Sequence, residues 1–228
     1  MRVIKIRLYF VRQLITKNII MRVLIACEES QAVVKRYRAL GHEAYSCDIE
    51  PCSGGHPEWH IMGDVTPLLK QKWDLIIAFP PCTYMTNGGA VRMYPKKGEI
   101  CPDRYAKAME AKAFFMLFYE ADCPHICIEN PMPMNIIGLP EKSQIVQPYQ
   151  FGEKKKKKTY LWLKGLPKLE PTNILTEWQP YINGGGGRLN KEKYKGKSFA
   201  NKASTRSKTF PGIADAMAEQ WSAFLELY

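Results

Sequence analysis

Two residues capable of covalent and acid–base chemistry, Cys82 and Glu129, each stand where a strand-like segment meets prolines. The apolar run 75–79 is short and β-favouring, and Pro80-Pro81 follows it at once. Because proline ends strand pairing and restricts the backbone, Cys82 is expected just past the carboxyl end of a strand. A second strand-like segment, 125–128, stops in the same way on Glu129-Asn130-Pro131. A thiol and a carboxylate placed in this way predict a nucleophile and an acid.

A rival group of metal-ligand residue types lies nearby in the sequence, at Cys47, Cys52, His56 and His60. Four such residues could hold Zn²⁺ tetrahedrally. However, the spacing C-x4-C-x3-H-x3-H is not that of a standard zinc finger, and Cys47 should point into a sheet. We therefore favour packing or pocket lining for these side chains and predict no metal.

Alternating strand and helix patterns predict the α/β domain that would position these residues. Strands are expected over 22–26, 43–47 ending on Asp48, around 61, 73–79 and 125–128, with an antiparallel pair at 144–151 and 159–163. Helices are expected over 31–40, with Ser30 as cap and Gly41 as stop, and over 103–121 and 211–226. This alternation predicts a mostly parallel sheet with right-handed crossovers, in which ligands bind at the carboxyl edge.

Composition changes along the chain predict three regions. Residues 1–20 form a basic and apolar extension, interpreted as an added edge strand, an amphipathic helix, or sequence preceding a true start at Met21. Residues 21–166 and 209–228 are predicted to form the catalytic domain. Residues 167–208, rich in Pro, Gly, Lys and Asn, are predicted to form a small insert of loops.

Charge and cysteine content narrow the class of protein. The net charge is +11, and residues 153–208 hold 15 Lys or Arg against 4 Glu, whereas the rest of the chain is neutral. Such segregation favours a surface for nucleic acid or nucleotide phosphate over a merely solvated loop. No apolar segment approaches the roughly 18 residues of a membrane span. Seven scattered cysteines indicate reduced thiols and a cytoplasmic location.

Taken in order, these features resemble the DNA cytosine-C5 methyltransferases, which use S-adenosylmethionine, over about residue 22 to the end. Pro-Pro-Cys at 80–82 resembles the nucleophile motif of the family, and Glu129-Asn130 resembles the motif that follows it. Asp48 matches the acidic position that holds the cofactor ribose, and Asp64 matches the position that meets the adenine amine. YQFGEKKKKKTYLWL (149–163) and FPGIADAMAEQ (210–220) resemble the basic and closing segments.

The resemblance implies a Rossmann-like class I methyltransferase fold, Cys82 as nucleophile, Glu129 as acid and Asn130 as a residue that holds the loop. It implies a compact, phage-like enzyme. The implied cofactor site consists of Ala26, Glu28, Asp48, Ile49, Asp64, Val65 and Pro80. The implied nucleic-acid contacts are Lys154, Lys155, Lys156, Lys157 and Lys158.

The chain departs from the family in three places. The first motif, normally rich in glycine, is here Ala26-Cys27-Glu28-Glu29-Ser30-Gln31, in which the two glutamates would bind the amino group of the cofactor or indicate another cofactor geometry. The run 154–158 replaces a Gln-x-Arg-x-Arg segment, and lysine lacks bidentate geometry. The insert 167–208 is short for a domain that reads duplex DNA.

The expected function is therefore methyl transfer from S-adenosylmethionine to C5 of cytosine in DNA, through a transient Cys82–C6 adduct, at a short or degenerate site. Two alternatives stay open. One is the same thiol chemistry on a free pyrimidine nucleotide, whose phosphate the lysines would meet. The other is a non-catalytic nucleic-acid-binding relative that has lost cofactor binding.

Overall fold

Seven strands form one central sheet in the computed structural model, which describes residues 19–180 and 208–227. Most of the basic extension and of the insert, 1–18 and 181–207, therefore lies outside the described residues. The strands are β1 Arg22–Ala26, β2 Glu43–Asp48, β3 His60–Met62, β4 Leu75–Ala78, β5 Ile126–Pro131, β6 Gln144–Val146 and β7 Thr159–Lys164. A separate two-residue pairing joins Lys155–Lys156 to Gln179–Pro180.

The strand order is β3-β2-β1-β4-β5-β7-β6. The first five strands run parallel, whereas β7 is antiparallel to both of its neighbours, β5 and β6. This order, with a reversed strand inserted next to β5, is that of the Rossmann-like class I methyltransferase fold. The predicted fold class is thus confirmed. The order reverses direction between β1 and β4, and the crevice above that point is where such sheets bind ligands.

Side chains alternate between two buried faces, as a sheet covered on both sides requires. Val23, Ile25 and Ile77 face one cluster, and Leu24, Ile76 and Ile128 face the other. The short apolar runs of β1 and β4 are therefore buried on both sides, which explains why they lack the polar alternation of a half-exposed strand.

In the part of the chain that the structure describes, the helices that cover these faces are α1 Val34–Ala39, α2 Ala90–Met93, α3 Pro102–Tyr119 and α4 Pro211–Leu225. Helices α1 and α4 share the Val23 face, where the Tyr37 hydroxyl donates to the Met217 carbonyl at 2.9 Å and Arg36 pairs with Asp215 at 2.7 Å. Helix α3 packs on the opposite face through Ala108, Phe115 and Phe118, part of the apolar stripe seen in its sequence. Within the described residues, none of the helices has the length and apolar character needed to span a bilayer.

Three predicted elements differ from the observed ones by three residues or more at one end. Helix α1 is shorter than 31–40 because Gln31 has φ 57°, outside the helical region, although Gly41 (φ 88°) does end the helix. The strand predicted over 144–151 ends at Val146, since residues 148–150 form a 3-10 turn that begins at Pro148. Strand β5 continues through Glu129 and Asn130 to Pro131, because all three pair with β7.

Gly212 lies where the first turn of α4 meets the segment before the basic run. A Cβ atom built on Gly212 would overlap the carbonyl oxygen of Phe151, a backbone atom that cannot move aside easily. We expect Gly212→Ala to lower the free energy of unfolding by about 2 kcal/mol, as overpacking does. Gly88→Ala is the matched control, because among the described residues a Cβ there would meet just the Thr86 hydroxyl within 4 Å, at 3.8 Å. Equal urea midpoints for the two variants would contradict the expected overlap.

Candidate active site

The turn that carries Cys82 is fixed by backbone and side-chain hydrogen bonds. Asn130, which is fully buried, donates from Nδ2 to the carbonyl of Pro80 at 2.9 Å. The carbonyl of Cys82 accepts from the N–H groups of Met85 and Thr86 at 3.1 and 3.2 Å. Cys82 is half-buried at the end of β4, and the bond from Asn130 ties its loop to the neighbouring strand.

Register brings Glu129 to the same edge of the sheet as Cys82. Ala78 pairs with Ile128, so the residues that follow them, Phe79 and Glu129, lie at one level of adjacent parallel strands. Glu129 lies inside β5 rather than beyond it, opposite Leu161 of β7. The thiol and the carboxylate are thus presented by neighbouring strands at their carboxyl ends.

The Glu129 carboxyl group lies in a narrow pocket, beside two lysines. The pocket is lined by Glu129, Lys157, Thr159, Lys208, Thr209, Phe210 and Ile213. An opening leaves Glu129 partly accessible, but the surrounding protein desolvates the carboxylate and raises its pKa, which the charge of Lys157 partly offsets. An acid whose pKa is raised in this way retains its proton closer to neutral pH than an exposed glutamate does.

A second group of residues lies at the carboxyl ends of β1 and β2. The Ala26 carbonyl accepts from the Phe79 N–H at 3.0 Å, which joins β1 to the segment before Cys82. Next along the chain, Cys27 has a pKa raised to about 12, chiefly by burial and then by the charges of Asp48, Cys47 and Asp64. The carboxylates of Asp48 and Asp64 therefore both lie close enough to the Cys27 thiol to raise its pKa. Cys27, Asp48 and Asp64 thus share an electronegative corner of the site.

The remaining predicted cofactor residues differ in exposure. Ile49, just after Asp48, is 76% exposed, whereas Val65 and Pro80 are buried. Asp64 is exposed, and its Oδ1 accepts from both the N–H and the hydroxyl of Thr66. The exposed apolar side chain of Ile49, next to Asp48 in the chain, could cover one face of a planar ring.

The first loop turns without glycine because two other residues adopt left-handed backbone conformations. Cys27 has φ 58° and Gln31 has φ 57°. The buried side chain of Gln31 donates to the carbonyl of His56 at 2.7 Å and accepts from its N–H at 3.0 Å. This pair of bonds holds the loop after β1 against the loop after β2, and Gly54 provides the space, since a Cβ there would overlap Cβ of Gln31.

Glu28 supports the loop from within. Its buried carboxylate accepts from the N–H groups of Val33 and Val34, at 2.6 and 3.2 Å, and so caps helix α1 in place of the predicted Ser30. Burial raises its pKa from 4.5 to about 7, and the two backbone hydrogen bonds oppose that rise. Both carboxylate oxygens are thus engaged with the backbone of the chain.

The five lysines of the basic run do not share one environment. Lys154, Lys155, Lys156 and Lys158 are exposed. Of these, Lys155 and Lys156 pair with residues 179–180. Lys157 is half-buried and faces the Glu129 pocket. The run therefore combines an outward cationic surface with one lysine at the site.

The zinc alternative does not fit the geometry. His60 lies between the Ser46 hydroxyl at 2.9 Å and the Glu50 carbonyl at 3.0 Å, and His56 contacts Glu58 at 3.0 Å. Cys47 donates to the Gly63 carbonyl at 3.6 Å. In residues 19–180 and 208–227, no group of three or more His, Cys, Asp or Glu side chains is placed to share a metal ion.

Sequence reasoning placed Cys27 and Gln31 in the first motif without assigning a role to either, and it missed Lys208 as a member of this region. The available signal was the missing glycine itself, because a tight loop without glycine needs other residues at positive φ. Lys208, which lines the Glu129 pocket, also donates to the Ser53 hydroxyl at 3.2 Å, and no local pattern could have shown that contact across 155 positions.

No protein-family model and no curated protein matches the chain. Among solved structures it is similar to the Entamoeba histolytica methyltransferase EhMeth, at 13% identity and a TM-score of 0.42, over 68% of this chain and 58% of that one. It is also similar to the S. pombe Dnmt2 methyltransferase (12%, 0.38, 65% and 51%) and to an rRNA methylase from Escherichia coli (16%, 0.33, 69% and 62%). This chain thus matches a little over half the length of these proteins. At such identities and TM-scores, they carry no information on what it binds or does.

Glu28 should make stability depend on pH in one window. Its folded pKa of about 7 exceeds its ordinary 4.5, so the folded state binds more protons between these values and stability falls as pH rises through them. We expect the stability advantage of the wild type over Glu28→Gln to shrink by about 3 kcal/mol from pH 4.5 to 7. Urea unfolding at intervals of pH measures this, with Glu29→Gln as the control. A constant difference across the window would contradict the assignment.

Proposed function

We propose that this protein is an S-adenosylmethionine-dependent methyltransferase that methylates C5 of cytosine in DNA through a covalent Cys82 adduct. The observation that carries the proposal is the arrangement at the ends of β4 and β5. A half-buried thiol on a fixed turn after β4 and a desolvated carboxyl group on the adjacent strand β5 are presented at the same edge of the sheet, and Asn130 joins the two segments.

The electronegative corner formed by Cys27, Asp48 and Asp64 suits the proposed cofactor. S-adenosylmethionine would supply an electrophilic methyl group on a positively charged sulfonium. Asp48 and Asp64 create a negative field there, as their effect on the Cys27 thiol indicates, and a negative field suits a cationic ligand. We assign Asp48 to the ribose hydroxyls, Asp64 to the adenine amine and the exposed side chain of Ile49 to the face of the adenine ring.

Backbone groups complete the proposed cofactor site. Ala26, Val65 and Pro80 would line its floor, and the left-handed Cys27 would turn the backbone toward the methionine end of the ligand. Glu28 would act indirectly, because its carboxylate is engaged in capping α1 and so holds the loop in place.

Cys82 would start the reaction. As a thiolate its sulfur adds to C6 of cytosine, and the C5–C6 π electrons move through the ring toward N3. C5 would then have enamine character and would take the methyl group, whose bond to the sulfonium sulfur would break and leave the neutral thioether S-adenosylhomocysteine. Loss of the C5 proton to a base, departure of the Cys82 thiolate and return of the N3 proton to Glu129 would restore the aromatic ring. No described residue is assigned as that base.

Glu129 would supply the proton that N3 needs as the thiolate adds. Desolvation raises the pKa of this carboxyl group, which favours the protonated donor form. Asn130 would hold the Cys82 turn at the correct distance through its bond to Pro80.

DNA is proposed as the substrate because exposed lysines border the Glu129 pocket. Lys154, Lys155, Lys156 and Lys158 form an outward cationic surface that suits a phosphate backbone, while half-buried Lys157 lies at the pocket. Lysine gives charge without the bidentate geometry of arginine, so a short or degenerate site is expected.

A free pyrimidine nucleotide is the second candidate, because Lys157 and Lys208 line the same pocket as Glu129. Two cations next to the proposed acid could hold a single phosphate. Methyl transfer to dCMP without transfer to DNA would favour this candidate.

Covalent trapping tests the nucleophile and the target base together. We expect duplex DNA containing 5-fluorocytosine to form a denaturation-resistant adduct with the wild-type protein when S-adenosylmethionine is present, because fluorine at C5 blocks release of the thiolate. Cys82→Ser should give no adduct. Cys101→Ser, which removes another half-buried thiol, should give the wild-type yield. No adduct with any DNA, or an adduct that persists in Cys82→Ser, would refute the DNA mechanism.

The acid role of Glu129 predicts a characteristic pH dependence. Glu129→Gln should lower the single-turnover methylation rate about 10²–10⁴-fold below the raised pKa of Glu129, where the wild type still carries the proton. Because that proton is lost as pH rises through the pKa, the ratio of wild-type to variant rates should fall with increasing pH. Glu141→Gln, at an exposed position, is the control. A ratio independent of pH would argue against Glu129 as the acid.

A further inference from the structure

Arg104, near the start of α3, holds the Cys82 loop at a second point besides the one held by Asn130. Its Nη2 donates to the carbonyl of Thr83 at 2.9 Å. Asn130 donates to the carbonyl of Pro80, also at 2.9 Å. The carbonyls two residues before Cys82 and one residue after it are therefore both held by side chains, one from β5 and one from α3.

The Arg104 guanidinium also contacts two other parts of this loop. It lies over the Tyr84 ring, with Cζ 4.9 Å from the ring centroid. It also fills the space beside Gly89, where a Cβ atom would lie 2.6 Å from Nη2. One side chain thus contacts the segment that follows Cys82 at its beginning, Thr83 and Tyr84, and at its end, Gly89.

The hydrogen bonding of Arg104 is directed at the Cys82 loop. Its Nη2 donates to the Thr83 carbonyl, whereas its buried Nε has no hydrogen-bond partner in the described part of the chain. The bond to Thr83 is therefore the hydrogen bond through which Arg104 holds the loop.

We propose that Arg104 is a positioning residue for Cys82, which fixes the direction of the thiol by holding the Thr83 carbonyl. Its importance for turnover rests on the proposed function. The positioning itself does not, because the backbone hydrogen bonds of the loop report on it directly.

Hydrogen exchange in residues 82–89 is the primary test, since the N–H groups of Met85 and Thr86 donate to the Cys82 carbonyl. We expect Arg104→Met, which keeps an unbranched apolar stem, to raise exchange in this segment on the order of tenfold, the effect of losing one hydrogen bond to a charged donor. Arg104→Lys should be intermediate. Lys107→Met is the matched control, because Lys107 contacts the same Tyr84 ring, at 5.7 Å, from the same helix.

Gly89→Ala is a second way to break the hydrogen bond between Arg104 and the Thr83 carbonyl. The new methyl group would displace the guanidinium from Thr83 without removing Arg104. We expect the same increase in exchange, and no further increase when Arg104→Met is added, because the two changes remove one interaction. Added methylguanidinium should restore slow exchange in Arg104→Met but not in Gly89→Ala, where the new methyl group takes up part of the space.

In a methylation assay, Arg104→Met should lower kcat on the order of tenfold and leave KM for S-adenosylmethionine unchanged, because the thiol is misplaced while the cofactor site is intact. Wild-type exchange in Arg104→Met, or an equal increase in Lys107→Met, would overturn the positioning role. If hydrogen exchange rises as expected in Arg104→Met but neither the wild type nor any variant transfers methyl groups, the proposed function fails and the positioning role stands.

Discussion

The parallel pairing of β4 with β5 is the constraint on which the site depends. Its register places Ala78 opposite Ile128, so each strand delivers its reactive residue to the same edge. A shift of one residue would turn Glu129 toward the α3 face and Asn130 toward the α4 face, because side chains alternate along a strand. The fully buried Asn130 would then no longer reach the carbonyl of Pro80. One register therefore fixes both the acid and the turn that carries the thiol.

Much of this arrangement could be predicted from the sequence, because it follows from local patterns. The apolar runs at 22–26 and 75–78 indicate buried strands, and the prolines at 80 and 81 place Cys82 beyond the second of them. The class I order of strands followed from the sequence of elements together with the family resemblance. The bounds of α1 could not be predicted, since a helical pattern does not reveal that Gln31 adopts a left-handed conformation. The hydrogen bond from Arg104 to the Thr83 carbonyl could not be predicted either, because it depends on how α3 packs.

The first loop shows how a tight turn can be built without glycine. A left-handed conformation costs a non-glycine residue about 1–2 kcal/mol, and the loop contains two such residues. The hydrogen bonds of Gln31 to both backbone groups of His56 offset part of that cost. Glu28 accepts hydrogen bonds from the first N–H groups of α1. The side chains of Gln31 and Glu28 therefore stabilise a tight turn that glycine would otherwise form through its wider range of backbone conformations. The resulting loop is more rigid than a glycine-rich one and depends on the loop after β2 for its shape.

The packing of α1 against α4 has a consequence for how the protein is made. The Tyr37 hydroxyl and the Met217 carbonyl are hydrogen-bonded across 180 positions, and the Val23 face of the sheet is covered by both helices. During synthesis that face stays partly uncovered until residues 211–225 have emerged from the ribosome. Contacts so distant in sequence slow folding and leave apolar strands exposed to other nascent chains. The growing polypeptide would then be a natural client for chaperones that shield such surfaces.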